Sequence, residues 1–509
     1  MMKKTILFLV IAVLSTFAMQ AQQDNREFEI WKQKKAAEYN AFKDNRDNDY
    51  AHFRKQLNEE YAQFMRQRWQ PLELLEEEKS PDTIPPVPPD IHPEEDVVVE
   101  QEINPQPIKD FIEVDIPKPQ PEPIVPIEIP LPDGPKQDSL ALSYFGTDMM
   151  FAKGEKIEVA LSDLSENDIS HAWSRLSSGQ CEVLLGQCLA NRSRYKLNDW
   201  AYLQLLEKVS KENITNDPNG ATLLMAWLFC QSGYKMRLAK SVLQQTTPNG
   251  RLYLMFGCNN VIYDTRYFII DGVRYYPYSN CNEDIIELCP SQFPQEQSLS
   301  LNIRELPMLT VSNSDLRFLQ SQRYPEMSVN VSINNNLIDY YGSYPKCALT
   351  DFMGSRWALY ANTPLSEDVK HQLYPQLTQY LSGKEELAVV EELLNFVQTA
   401  FVYGYDDTVW GEDRAFFAEE TLFYPFSDCE DRSILFSRLV RDLVGLDVLL
   451  LYYPGHLATA VKFNNSNPAG DYIALPEGNY FIADPTYRGA KVGESMPSVK
   501  NKEITVIRL

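Results

Sequence analysis

The chain has 509 residues, 44% hydrophobic and 12% aromatic, enough for globular cores and too many for a single one. Its formal net charge is -24, with 71 acidic side chains against 47 basic. That balance argues against nucleic acid or an anionic membrane surface as partner, since both need a basic face.

Lys3 and Lys4 precede an apolar run, Ile6 to Phe17, and small residues follow up to Ala21. This pattern predicts a signal peptide over 1–21 and export to the periplasm or beyond. The run is too short for a permanent span, which needs about 20 residues, and no later stretch is apolar enough for a transmembrane span. Over 24–70 the aromatic pairs Phe28/Trp31, Tyr39/Phe42, Tyr50/Phe53 and Tyr61/Phe64 recur every 11 residues. At about 3.67 residues per turn such a repeat keeps one stripe on a long helix. The stripe either docks on the chain's own globular part or serves as a coiled coil, for a protein partner or self-association. Residues 71–137 are a Pro/Glu-rich linker, with 16 of the 33 prolines between Pro81 and Pro135. It reads as extended polyproline, a spacer reaching up to roughly 170 Å.

Residues 138–384 form a helical and then β-rich region. The stretch 165–245 reads mostly helical; Leu197 to Trp200 opens one helix and Ala221 to Cys230 is another, strongly apolar. Strands are expected at Arg251 to Phe256, Tyr267 to Ile270 and Val273 to Tyr276, the last two joined by an Asp271-Gly272 hairpin turn. The stretch Met327 to Ile333 alternates, and Glu385 to Gly404 returns to a helical pattern. All eight cysteines lie between 181 and 429. Cys281 with Cys289, or either with Cys258, are candidate disulfides in an oxidising compartment; Cys181 and Cys188, two turns apart on one helix, cannot bridge.

The chemistry concentrates after residue 384. In FSDCEDRSILFSRLVRDLVG, residues 426–445, Ser427 and Glu430 read as a capping box that opens a helix, and Gly445 ends it. Cys429 then lies in the first turn, where the helix dipole favours a thiolate while Asp428, Glu430 and Asp431 oppose it. A strand, Val448 to Tyr453, turns at Pro454-Gly455 into a second strand opened by His456. A third, Tyr480 to Ala483, ends at Asp484-Pro485. Adjacent antiparallel strands would bring His456 and Asp484 within about 5.5 Å. Cys429, His456 and Asp484 then follow the order of a nucleophile, its base and an orienting acid. A zinc site from the same three residues lacks a fourth ligand, so no metal or other cofactor is assigned.

These blocks resemble the transglutaminase-like superfamily of papain-related cysteine enzymes. The likeness spans about residues 385–509 and rests on Cys429, Asp431 and Leu435, then Leu439, Arg441 and Gly445, then Gly455-His456, then Asp484-Pro485-Thr486. The resemblance implies an α+β domain in which a helix packs on an antiparallel sheet, with Cys429 as nucleophile, His456 as base and acid, and Asp484 as its orienter. It also implies an oxyanion hole from the Cys429 backbone N–H and an upstream donor, with Tyr424, Trp410 and Glu420 as candidates for that role or for the cleft wall. Asp431 and Gly455 are expected to be structural, and Asp428 and Glu430 to be solvated charges at the helix start. The function expected is amide acyl transfer through a thioester on a peptide or protein substrate, with hydrolysis favoured over crosslinking. The alternative is an inactive envelope scaffold that keeps the fold. Residues 217–276 echo the same helix–strand–strand order, with Asp217 in the place of Cys429 and no histidine between 171 and 371, as a catalytically empty copy would.

Overall fold

Strand formation reaches into the proline-rich segment, and this organises the C-terminal half. In the computed structural model the described residues are 54–80, 106–108, 110–116, 139–152, 157, 159–177, 179–241, 250–291, 293, 297–500 and 502–509. The signal peptide, residues 24–53 of the expected long helix, and most of the linker lie outside them. Residues 54–65 are helical. The helix stops short of the expected residue 70, because Pro71 follows in a strand and the residue before a proline avoids the helical region. Residues 64–509 form one compact unit, mixed α+β, in which helices pack against antiparallel sheets.

In chain order this unit opens with three short strands, β1 (Gln70–Glu73), β2 (Gln106–Ile108) and β3 (Phe111–Val114). Helices α1 (Glu166–Leu176), α2 (Asp199–Asn213) and α3 (Pro218–Gln231) follow, capped by the side chains of Ser165, Asn198 and Asp217. Next come β4 (Met236–Ser241), β5 (Leu252–Cys258), β6 (Phe268–Ile270), β7 (Val273–Pro277) and β8 (Ile285–Leu288). The turn between β6 and β7 holds Asp271 and Gly272 at φ of 52° and 76°, the left-handed pair that a two-residue hairpin requires. The stretch expected to be mostly helical up to 245 ends its helices earlier, because residues 236–241 are a fully paired strand between β5 and β8. Helices α4 (Ser355–Asn362), α5 (Glu386–Thr399), α6 (Ala418–Phe423) and α7 (Cys429–Leu443) then lead into β9 (Val448–Tyr453), β10 (His456–Lys462), β11 (Asp471–Leu475), β12 (Gly478–Ala483) and β13 (Ile504–Arg508).

The two large sheets share one plan. The first runs β1-β8-β4-β5-β7-β6 and the second β3-β13-β9-β10-β12-β11-β2. From β8 to β6, and from β13 to β11, every neighbouring pair is antiparallel. In each, a helix capped by an aspartate (α3 or α7) precedes the first of these strands in the chain.

The second sheet closes on itself. β2 pairs in parallel with β11 and β3 in parallel with β13, the two ends of the strand order. Yet Ile108 and Phe111 are three residues apart, a reach of about 10 Å. The sheet must therefore curl until its edges meet, and residues 106–108 and 111–114 strap them together. Ile108 and Phe111 pack on the enclosed core of Leu449, Leu451, Ile473, Ile482 and Val506. Arg508 pairs with Glu113 on one side of the seam and Glu477 on the other. Part of the expected spacer is thus edge strand, with Pro107 at an edge where a missing N–H costs little.

Candidate functional site

Helix α7 begins one residue later than its sequence suggests. Asp428, not Ser427, is the N-cap, and its partner in the capping box is Asp431, not Glu430. Asp428 accepts from the Glu430 N–H at 3.2 Å, and Asp431 accepts from the Asp428 N–H at 3.1 Å. The other Asp431 oxygen holds the Phe416 N–H at 3.0 Å, so this residue ties the preceding loop to the helix start. Cys429 is the first helical residue and is buried. One turn on, the Ser433 hydroxyl donates to the Leu457 carbonyl at 2.9 Å. Positions i and i+4 share a helix face, and both look onto β10 beside His456.

Gly455, at φ 84°, closes the two-residue turn that pairs Tyr453 with His456. The β10–β12 register pairs Thr459 with Ala483; continued, it sets Asp484 opposite Ala458 and diagonal to His456. The diagonal suffices for contact. His456 Nε2 and Asp484 Oδ2 lie 2.8 Å apart, with both side chains 1% exposed. The second Asp484 oxygen accepts from the N–H groups of Thr486 and Tyr487 at 2.9 and 3.2 Å. With Nε2 engaged, the other imidazole nitrogen, Nδ1, is buried and has no hydrogen-bond partner among the described residues.

Two side chains hold this frame that the sequence did not mark. Gln398 on α5 donates to the carbonyls of Asp484, Tyr487 and Ala490 at 3.0, 2.8 and 3.1 Å, pinning the turn after β12. Arg432 on α7 bonds Ser427 Oγ and the carbonyls of Gln398 and Phe401. Their only sequence signal was position; Ser433, four residues after Cys429, was the one inferable from spacing.

The carboxylates around Cys429 are buried, which corrects the expectation of solvated charges: Asp428 is 4% and Glu430 7% exposed. Removed from water, a carboxylate resists ionising. Burial, with repulsion from Asp413, pushes Glu430 up to about 7. Burial, with repulsion from Glu430, pushes Asp406 up to about 8. Arg356 faces the group, bonding Asp413 at 2.6 Å and lying 3.8 Å from Glu430. The Cys429 sulfur lies 3.6 Å from Glu430 Oε2. Burial first, then the Asp428 and Glu430 charges, hold the thiol well above its usual range, and the Leu457 N–H opposes them. Oxygen and sulfur atoms of Asp428, Cys429 and Glu430 converge within 4.8 Å, as do those of Asp406, Asp413 and Glu430 and of Asp406, Asp428 and Asp431.

Trp410, Glu420 and Tyr424 gather around Arg414 rather than around Cys429. The Arg414 guanidinium lies 4.6 Å from the Trp410 ring, 2.9 Å from Glu420 Oε1 and 3.3 Å from the Tyr424 hydroxyl. Glu420 also accepts the Phe417 N–H at 3.0 Å, so it anchors a helix start. With Phe417 it lines a small cavity of about 180 Å³. All eight cysteines are buried, and Cys258 and Cys281 carry free thiols, so none of the candidate pairs among Cys258, Cys281 and Cys289 is bridged. Among the described residues no helix is long and apolar enough to cross a membrane. No family model, no curated protein and no solved structure matches this chain.

Proposed function

We propose that residues 385–509 are a papain-related, transglutaminase-like cysteine enzyme that cleaves or transfers an amide acyl group of a peptide or protein, in an exported protein. The observation that carries the reading is the buried His456–Asp484 pair, which leaves His456 Nδ1 unpartnered on the strand against which α7 sets Cys429. In the proposed reaction Nδ1 takes the Cys429 proton, and sulfur bonds to the amide carbon. The imidazolium then gives that proton to the nitrogen as the C–N bond breaks. Water, activated by the same imidazole, releases the acid and restores the thiol. The Cys429 N–H at the helix start would stabilise the developing oxyanion. Hydrolysis is favoured because no separate amine site is evident and water is always at hand.

The competing reading, an inactive scaffold, draws support from the thiol's bond to Glu430 and the charges that keep it protonated. The pH dependence of Cys429 alkylation, located by mass spectrometry in wild type and His456→Ala, decides between them. An enzyme labels rapidly well below the ordinary thiol pKa of about 8.5 and loses that labelling in the variant. Slow labelling, identical in both proteins, leaves the scaffold reading standing.

A further inference from the structure

The shared strand plan makes the two sheets comparable residue by residue. Helix α3 has Asp217 as N-cap and Gly233 beyond its end, at φ 93°; α7 has Asp428 and Gly445, at φ 74°. The strand after each glycine begins three residues on and is six residues long. Lys240 pairs with Leu252 as Tyr452 pairs with Leu457. One step further, the Ser241 N–H bonds the Arg251 carbonyl at 3.0 Å, so Arg251 occupies the position of His456. Likewise the Tyr278 N–H bonds the Leu254 carbonyl at 2.9 Å. That aligns Tyr278 with Ala483 and Ser279 with Asp484. Counted from the N-cap, Pro218, the first residue of α3, stands where Cys429 does; α3 is one residue shorter than α7, so Asp217, expected there from aligning the glycines, matches Asp428 instead.

Pro218, Arg251, Tyr278 and Ser279 all line one cavity of about 720 Å³. The place that holds thiol, imidazole and carboxylate in the second sheet is, in the first, an open cleft with Pro218, Arg251 and Ser279 at the three matching positions. Its volume falls in the range of small-ligand sites, about 300–1,000 Å³. Buried Ile214, Met225 and Leu254 supply an apolar floor. Of the two cations on the wall, Lys211 is consumed by Glu207 at 2.6 Å, and Glu207 also accepts the Tyr278 hydroxyl. Arg251 is exposed and makes no ion pair among the described residues, leaving one uncompensated positive charge at the rim.

We propose that this cleft is a non-catalytic binding site for a peptide that sets an apolar side chain on Met225 and Leu254 and a carboxylate on Arg251. It would hold substrate chain while the second sheet acts on it; only that last role rests on the proposed enzymatic function, because binding is read without turnover. The test uses the full chain with Cys429→Ala and ¹³C-methyl methionine, the Met225 signal being assigned with Met225→Leu. The probes are acetyl-Leu-Glu-Ala-amide and its glutamine analogue. The glutamate peptide is expected to shift the Met225 signal saturably, about tenfold more tightly than the glutamine peptide, as befits one charged hydrogen bond. Arg251→Gln, at an exposed position, should erase that preference without altering the rest of the spectrum. A Met225 signal unmoved by millimolar peptide, or a preference that survives Arg251→Gln, overturns the proposal. Alkylation of Cys429 in the wild-type protein is read separately, so an inert thiol would remove the enzyme reading and leave the binding site, and the converse also holds.

Discussion

Cys429 sits under opposed influences: a helix start and the Leu457 N–H favour the thiolate, while burial, Asp428 and Glu430 resist it. The candidate nucleophile, base and orienter could be ordered along the chain from residue type and strand pattern. That Asp428 and Glu430 would be buried could not, because an acidic residue in a helix's first turn looks the same whether water or another element covers it. The proposed function makes Asp484 the test of orientation. In Asp484→Asn the side-chain oxygen can still take the Thr486 and Tyr487 N–H groups, so the turn survives, but the charge beside Nε2 is gone. Alkylation of Cys429 near pH 6.5 is expected to slow by about 10²-fold or more; an unchanged rate would detach Asp484 from the site. Arg432 is a stability residue by contrast. Arg432→Ala strands three buried acceptors and should lower unfolding free energy by about 3–5 kcal/mol in urea titrations.

Among the elements, the strap of residues 106–108 and 111–114 departs furthest from its sequence. Proline spacing identifies extended chain but not its partners, since polyproline and edge strand share nearly the same backbone angles. Only the closed seam decides for strand, by giving Ile108 and Phe111 an apolar core to cover and Arg508 two carboxylates to bridge. Phe111→Asp should destabilise the second sheet by about 2–3 kcal/mol. Because one strap serves both edges, amide hydrogen exchange should quicken at Ile473 on β11 as well as at Val506 on β13. Loss of protection on β13 alone would mean that the edges are held independently.

The molecule as a whole carries its acidity unevenly, and this fixes how it responds to pH. Unfolded carboxylates ionise near pH 4, whereas native Glu430 and Asp406 hold protons up to about 7 and about 8. Between those limits the native state binds more protons than the unfolded one. The stabilisation is complete below about pH 4 and is lost as pH rises through the native values. Thermal midpoints should therefore fall by a few degrees between pH 5 and pH 8. Asp406→Asn should flatten that slope, separating this effect from the general repulsion of a chain at -24; a variant as steep as wild type would contradict the assignment.

By itself the sequence determined what local physics controls. Apolar periodicity marked α3, α7 and strands β9, β10 and β12, the left-handed glycines marked where helices end, and the order Cys429, His456, Asp484 marked the candidate triad. The tertiary structure decided what depends on distant neighbours: the N-cap at Asp428, the burial of the four clustered carboxylates Asp406, Asp428, Glu430 and Asp431, the Gln398 and Arg432 braces, the strap, and the matching strand order of the two sheets. Burial, register and sheet closure arise from contacts between residues tens to hundreds of positions apart, and no short stretch of chain encodes its own environment.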